Sequence, residues 1–166
     1  MCMDITAING TSFRVKAKKG MVVSESGTRI VMTGNSSKTP FEISQPGEYE
    51  VEGMSVFGYA SESEVVYVMQ IEDVRILTLG TKLSESIIQE LDVVDVILLN
   101  TDSLNSKDAV DMIGKIEPST VIPYGDTVNV AAFVKDFEHS SRESDKLSIA
   151  KATLNSELTE VVVLTA

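Results

Sequence analysis

The sequence predicts an α/β fold, a compact four-layer αββα sandwich made by a single domain over residues 1–166. Three observations point there. The first half is cut every few residues by glycine or polar clusters with short β-branched runs between them, the pattern of successive antiparallel strands. After Gly80 the apolar period lengthens to three or four residues, and helices begin to alternate with strands. The strands of this second half are apolar on both faces and need cover on both sides, which helices packed on sheets provide. Periodicity alone also permits a three-layer α/β fold with a β-rich N-terminal half.

The expected strands of the first half are 4–8, 12–17, 21–24, 29–32, 41–43, 47–51, 54–59, 65–71 and 74–78. In Phe13-Arg14-Val15-Lys16-Ala17 apolar and basic side chains take opposite faces, because successive strand residues point to opposite sides. Arg14, Lys16, Lys18 and Lys19 therefore read as the wet face of a hairpin. Ile71-Glu72-Asp73-Val74 reads as a tight turn despite its lack of glycine. Leu83, Ile87, Ile88 and Leu91 fall on one face of a helix, with Ser84 placed to cap it and Glu85 in its first turn. Residues 93–100, apolar apart from Asp95, form a buried strand; Asp95 reads as a hydrogen-bonded fold residue. Ala109, Val110, Met112, Ile113 and Ile116 mark a second helix, begun at Asn105 or Ser106 and ended before Pro118. Thr120-Val121-Ile122 completes a βαβ unit, whose parallel strands require such a crossover. Val130, Phe133, Val134 and Phe137 carry a third helix. Residues 147–150 and 161–164 are strands, and the polar stretch 138–146 reads as a loop.

Composition narrows function. The net charge of -11 is spread along the chain, which argues against nucleic acid or anionic lipid as a partner. No apolar run reaches a membrane span and no signal segment is evident, so a cytoplasmic protein is expected. The single cysteine, Cys2, cannot form an intramolecular disulfide, which fits a reducing compartment. Aromatics are 5% with no tryptophan, a poor basis for stacking bases or sugars. No P-loop, dinucleotide fingerprint, CxxC pair or EF-hand loop is present. Ser24, Ser36 and Ser37 lack a histidine base, since the one histidine, His139, stands in a polar stretch.

Five segments carry a resemblance. Pro46-Gly47-Glu48-Tyr49-Glu50-Val51-Glu52-Gly53 resembles the "PGEYEV.G" strand of small metallo-β-lactamase-like proteins related to ascorbate-lactonase-type hydrolases. Asn9-Gly10-Thr11-Ser12-Phe13-Arg14-Val15 stands where that family has Gly-His-Ser-Ser-Phe-Arg-Ile. Ile76 to Thr81 resembles "i.HlGD", Val94 to Leu99 resembles "vDvLllP", and Ile116 to Gly125 resembles "l.Pk.viPmH". Their order matches the family's over residues 4–126. The resemblance implies the αββα sandwich and, in an intact member, a dinuclear metal-dependent hydrolase.

The ligands that the resemblance implies are missing. Gly10 stands at the early histidine, Gly34 and Ser36 at the first two histidines of the His-x-His-x-Asp-His loop, Thr81 at the bridging aspartate and Gly125 at the last histidine. Glu25 followed by Ser26 replaces the aspartate of a "tDP" turn, and the loop between Met32 and Phe41 is shortened. Hydrolytic zinc needs about three His, Asp or Cys ligands at about 2.0 to 2.2 Å, and glycine offers no donor. Without metal a water keeps the high pKa of the bulk liquid instead of about 7, so the family's nucleophile is lost. The expectation is a non-catalytic protein, with no cofactor, that acts as a binding or assembly module for an unidentified small molecule, a protein partner or its own copies. The edge strands and the "PGEYEV" segment are the expected homomeric contacts. The alternative is a repurposed hydrolase holding magnesium or manganese on Glu25, Asp102 and Asp126. Against it, Asp102 opens a strand-to-helix loop and Asp126 precedes a helix, where aspartates serve as turns and caps.

Overall fold

The computed structural model describes residues 2–154 and 157–166. Two sheets face each other. The first has the order β13-β1-β2-β3-β4-β5, from Leu147–Ile149, Met3–Ala7, Ser12–Ala17, Gly20–Glu25, Arg29–Gly34 and Phe41–Ile43. The second has the order β12-β14-β11-β10-β9-β8-β7-β6, from Ser141–Ser144, Glu160–Leu164, Thr120–Tyr124, Val96–Asn100, Val74–Leu79, Val65–Ile71, Met54–Ala60 and Gly47–Val51. Strands β9, β10, β11, β14 and β12 run parallel, so their carboxyl ends share one edge of the molecule.

Local chemistry explains the elements. Ile71 pairs with Val74 across a two-residue turn in which Glu72 (φ 50°) and Asp73 (φ 68°) are both left-handed, as the right-handed twist of a hairpin favours. Helix α1 (Glu85–Leu91) is capped by Ser84 Oγ, which accepts from Ile87 N at 3.4 Å. Helix α2 (Ser106–Ile116) is capped by Asn105 Oδ1, which accepts from Asp108 N at 2.9 Å, and α3 (Thr127–Phe137) by Asp126 Oδ1, which accepts from Val128 N at 2.9 Å. No helix among the described residues is long and apolar enough to cross a membrane.

The core has two compartments. Between the sheets lie Ile5, Phe13, Val22, Ile30, Met32, Tyr67, Met69, Ile76, Leu98 and Ile122, all from strands. The second compartment joins the other side of the eight-stranded sheet, through Val68, Leu77, Ile97, Leu99 and Val121, to Leu91, Met112, Ile113, Phe133 and Phe137 of the helices. All three helices thus cover one sheet. The expected compact α/β sandwich of two facing sheets with helical cover is present; its three α-helices lie on the second sheet, and the outer face of the first carries no helix among the described residues. Strands β1 to β5 of that sheet follow one another through turns and short links, as between β3 and β4, where Thr28 N donates to Glu25 O at 3.1 Å.

The expected loop at 138–146 contains strand β12, which pairs with β14 alone. Its exposed Ser141, Arg142 and Glu143 show no apolar alternation, so the periodicity was silent. The buried strand expected from residue 93 starts at Val96, because Val93 is solvent-facing and Asp95 turns the chain into the sheet. Asp95, 6% exposed, fastens that entry. Its carboxylate accepts from Arg75 N at 2.9 Å and from Lys151 Nζ at 2.8 and 2.9 Å, while its carbonyl accepts from Ser119 N and Thr120 N.

Candidate functional site

Ligands of open α/β sheets gather outside the carboxyl ends of the parallel strands. Here that edge has a closed centre and an open flank. At the centre the Tyr124 ring stands edge-on to Phe13 at 5.1 Å, and its hydroxyl fills the space beside Gly27, where a Cβ would lie 3.2 Å away. Thr78 Oγ1 accepts from Tyr67 N at 3.1 Å, and Ser103 Oγ donates to Gly80 O at 2.7 Å. Asn100 Oδ1 accepts from Asp102 N at 3.0 Å and Ser103 N at 3.3 Å. The void left among Ser26, Gly27, Glu64, Thr78, Leu79, Gly80, Asn100 and Tyr124 is about 10 Å³. One water fills such a space.

The expected ligand positions are brought together only in part. Gly10 and Gly125 both line the open flank, and Thr81 Oγ1 lies 3.4 Å from Ser63 Oγ at the end of β9. Gly34 and Ser36 are elsewhere. Ser12 at the start of β2 pairs with Glu25, which pairs with Arg29, whereas Gly34 pairs with Gly20 at the far end of the same strands. Strand β4 runs away from the edge instead of towards it, and its six residues carry Gly34 roughly 17–20 Å off. Ser36 N there donates to Glu52 Oε1 at 3.0 Å. The loop shortened between Met32 and Phe41 thus follows a strand of reversed direction.

The carboxylate set Glu25, Asp102 and Asp126 is not assembled. Glu25 lies on the outer face of the first sheet, 3.5 Å from Arg29 Nε. Asp102 Oδ1 accepts from Asp126 N at 2.8 Å and Asn129 Nδ2 at 2.9 Å, and these bonds, Asn129's first, hold its carboxyl below the ordinary range. Asp126 is the cap of α3. Among the described residues no three His, Cys, Asp or Glu side chains stand where they could hold a metal ion. The donors present do not fit a zinc or magnesium centre.

Glu64 is the one acid facing the closed void. Partial burial raises its pKa above the ordinary 4.5, and burial followed by the charges of Glu64 and Asp102 pushes the Tyr124 phenol up. A carboxyl with a raised folded pKa supports the fold below its unfolded pKa and loses that support as pH rises through the folded value. Glu64→Gln is therefore expected to raise the melting temperature at pH 7, with the gain fading below pH 4.5. Thermal melts of both proteins from pH 4 to 8 check this.

The open flank is a cleft of about 910 Å³. Its walls are Val130, Ala131 and Val134 of α3, Val163 and Leu164 of β14, and Phe13 with Pro123 at its floor; Lys135 and Arg142 stand at its rim. Sequence reasoning missed Glu64, Asn100, Lys135 and Arg142. Asn100 had a readable signal, a polar residue ending an apolar strand; the others come from loops, a helix end and an edge strand whose placement is tertiary.

No family model matches this sequence, and no curated protein sequence matches it. Among solved structures the chain is similar to a Thermotoga maritima protein described as a proposed Zn-dependent hydrolase of the metallo-β-lactamase superfamily. The TM-score is 0.74 at 20% identity, over 98% of this chain and 100% of that one.

Proposed function

We propose that this chain, with the fold of the metallo-β-lactamase superfamily, is a non-catalytic binding module that lacks the family's metal ligands and holds a small amphipathic molecule in the cleft beside the closed centre. One observation carries the reading. The edge of the sheet that would house chemistry is filled by the Tyr124 side chain, while an apolar hollow of ligand size lies open next to it. The apolar walls favour a hydrophobic body; Arg142 is ion-paired to Glu160 and Glu143 also lines the cleft, so among the lining residues Lys135 is the cation placed to favour an acidic end.

The test uses 8-anilinonaphthalene-1-sulfonate, an apolar anion, titrated into the folded full chain. Saturable binding at one site is expected, weakened by about tenfold or more in Ala131→Trp, whose indole would occupy the cleft. Binding that ignores this substitution would remove the cleft from consideration. Metal analysis of purified, untagged protein addresses the non-catalytic half separately: stoichiometric zinc would sink it.

A further inference from the structure

The bare outer face of the first sheet has an ordered charge pattern. Its register sets Arg14 beside Val23, Val23 beside Val31 and Val31 beside Glu42 in one row across β2 to β5. A second row pairs Glu25 with Arg29, and a third aligns Lys16, Met21 and Thr33. These side chains point away from the core, since the alternate residues Val15, Val22, Ile30 and Met32 are buried. Met21, Val23 and Val31 are partly exposed at the centre. Arg29 lies within ion-pair reach of both Glu25 and Glu42, which holds these long side chains along the face.

The pattern is self-complementary. A two-fold axis parallel to the strands and between β3 and β4 places β2 of one copy over β5 of another, and β3 over β4. Arg14 then meets Glu42 of the second copy, Val23 meets Val31, and Glu25 meets Arg29, each contact occurring twice as an isologous interface demands. We propose that the protein forms a two-fold dimer by stacking these outer faces, so that a second copy supplies the layer that no helix among the described residues provides. Sheets stack at about 10 Å with their strands roughly aligned, a spacing that side chains of this size bridge.

The alternative contact at the β6 edge is opposed by its own charges. Two-fold antiparallel pairing centred on Tyr49 sets Glu48 against Glu50, and centring on either glutamate sets it against itself; like charges directly opposite destabilise a pair. The stacked face is on the order of 500 Å² from its strand spacing and length. That is below the roughly 800 Å² per partner of a standard interface, so the dimer is reversible.

Sedimentation equilibrium of the full chain reads this directly. A reversible dimer is expected that weakens with salt. Arg14→Glu alone and Glu42→Arg alone should each weaken it about tenfold or more, while an equimolar mixture of the two recovers wild-type association, because both symmetry-related contacts again join opposite charges. Val31→Lys, at the centre, should give a monomer. Circular dichroism checks each fold, and recovery in the mixture could not come from misfolded chains. A wild-type protein that stays monomeric to about 1 mM, a dimer unmoved by the single variants, or a mixture without recovery would each overturn the proposal.

Discussion

Gly125→His is expected to destabilise the protein by about 3 kcal/mol or more and to bring no zinc with it. The substitution restores, by sequence position, the last histidine of the resembled family. Its backbone forbids the exchange. Gly125 has φ +125°, a region that residues with a Cβ rarely enter, and forcing one there costs about 1–3 kcal/mol. The new Cβ would also lie 2.7 Å from Asp102 Oδ1, whose bonds to Asp126 N and Asn129 Nδ2 tie the β10 and β11 loops to the start of α3. Disturbing those bonds adds about 1–2 kcal/mol. Chemical denaturation with zinc present and absent checks both halves. A variant as stable as the wild type, or one whose midpoint rises with zinc, would show that a ligand can still be accommodated at this edge.

Asp95→Ala is the second large effect, a loss of about 3 kcal/mol. The carboxylate is buried and binds Arg75 N and Lys151 Nζ, so its removal leaves a donor of β9 unpaired and a lysine without its counter-ion. Breaking a buried pair from one side costs about 3–5 kcal/mol. The lower end applies because Lys151 is 45% exposed and regains water. Arg75 keeps its bonds to Leu91 O, Val93 O and Gln70 Oε1, so a folded but weakened protein is expected. Urea unfolding, with the midpoint lowered at unchanged slope, is the signature. Asp95→Asn should recover part of the loss, since its amide oxygen can still accept from Arg75 N.

The fold was largely legible because its determinants are local. Alternation located β2, and an apolar run between polar breaks located β8, to the residue, while Ser84, Asn105 and Asp126 announced three helix starts through side chains that reach their own backbone. Strand β12 was illegible for the converse reason: a polar edge strand is defined by its neighbour β14, and nothing in Ser141-Arg142-Glu143-Ser144 reports that neighbour.

The candidate site divides in the same way. Sequence by itself determined that Gly10, Thr81 and Gly125 carry no imidazole, carboxylate or thiolate, because donor chemistry belongs to the residue wherever it lies. Only tertiary structure decided that Gly34 and Ser36 lie away from that edge. A strand's direction is set by the turn before it, and the tight turn after Glu25 sends β4 back along β3. It also decided that Tyr124 closes the centre, that the cleft opens beside α3, and that the first sheet is left bare. Each depends on segments far apart in the chain meeting through packing, to which the order of residues alone gives no distance.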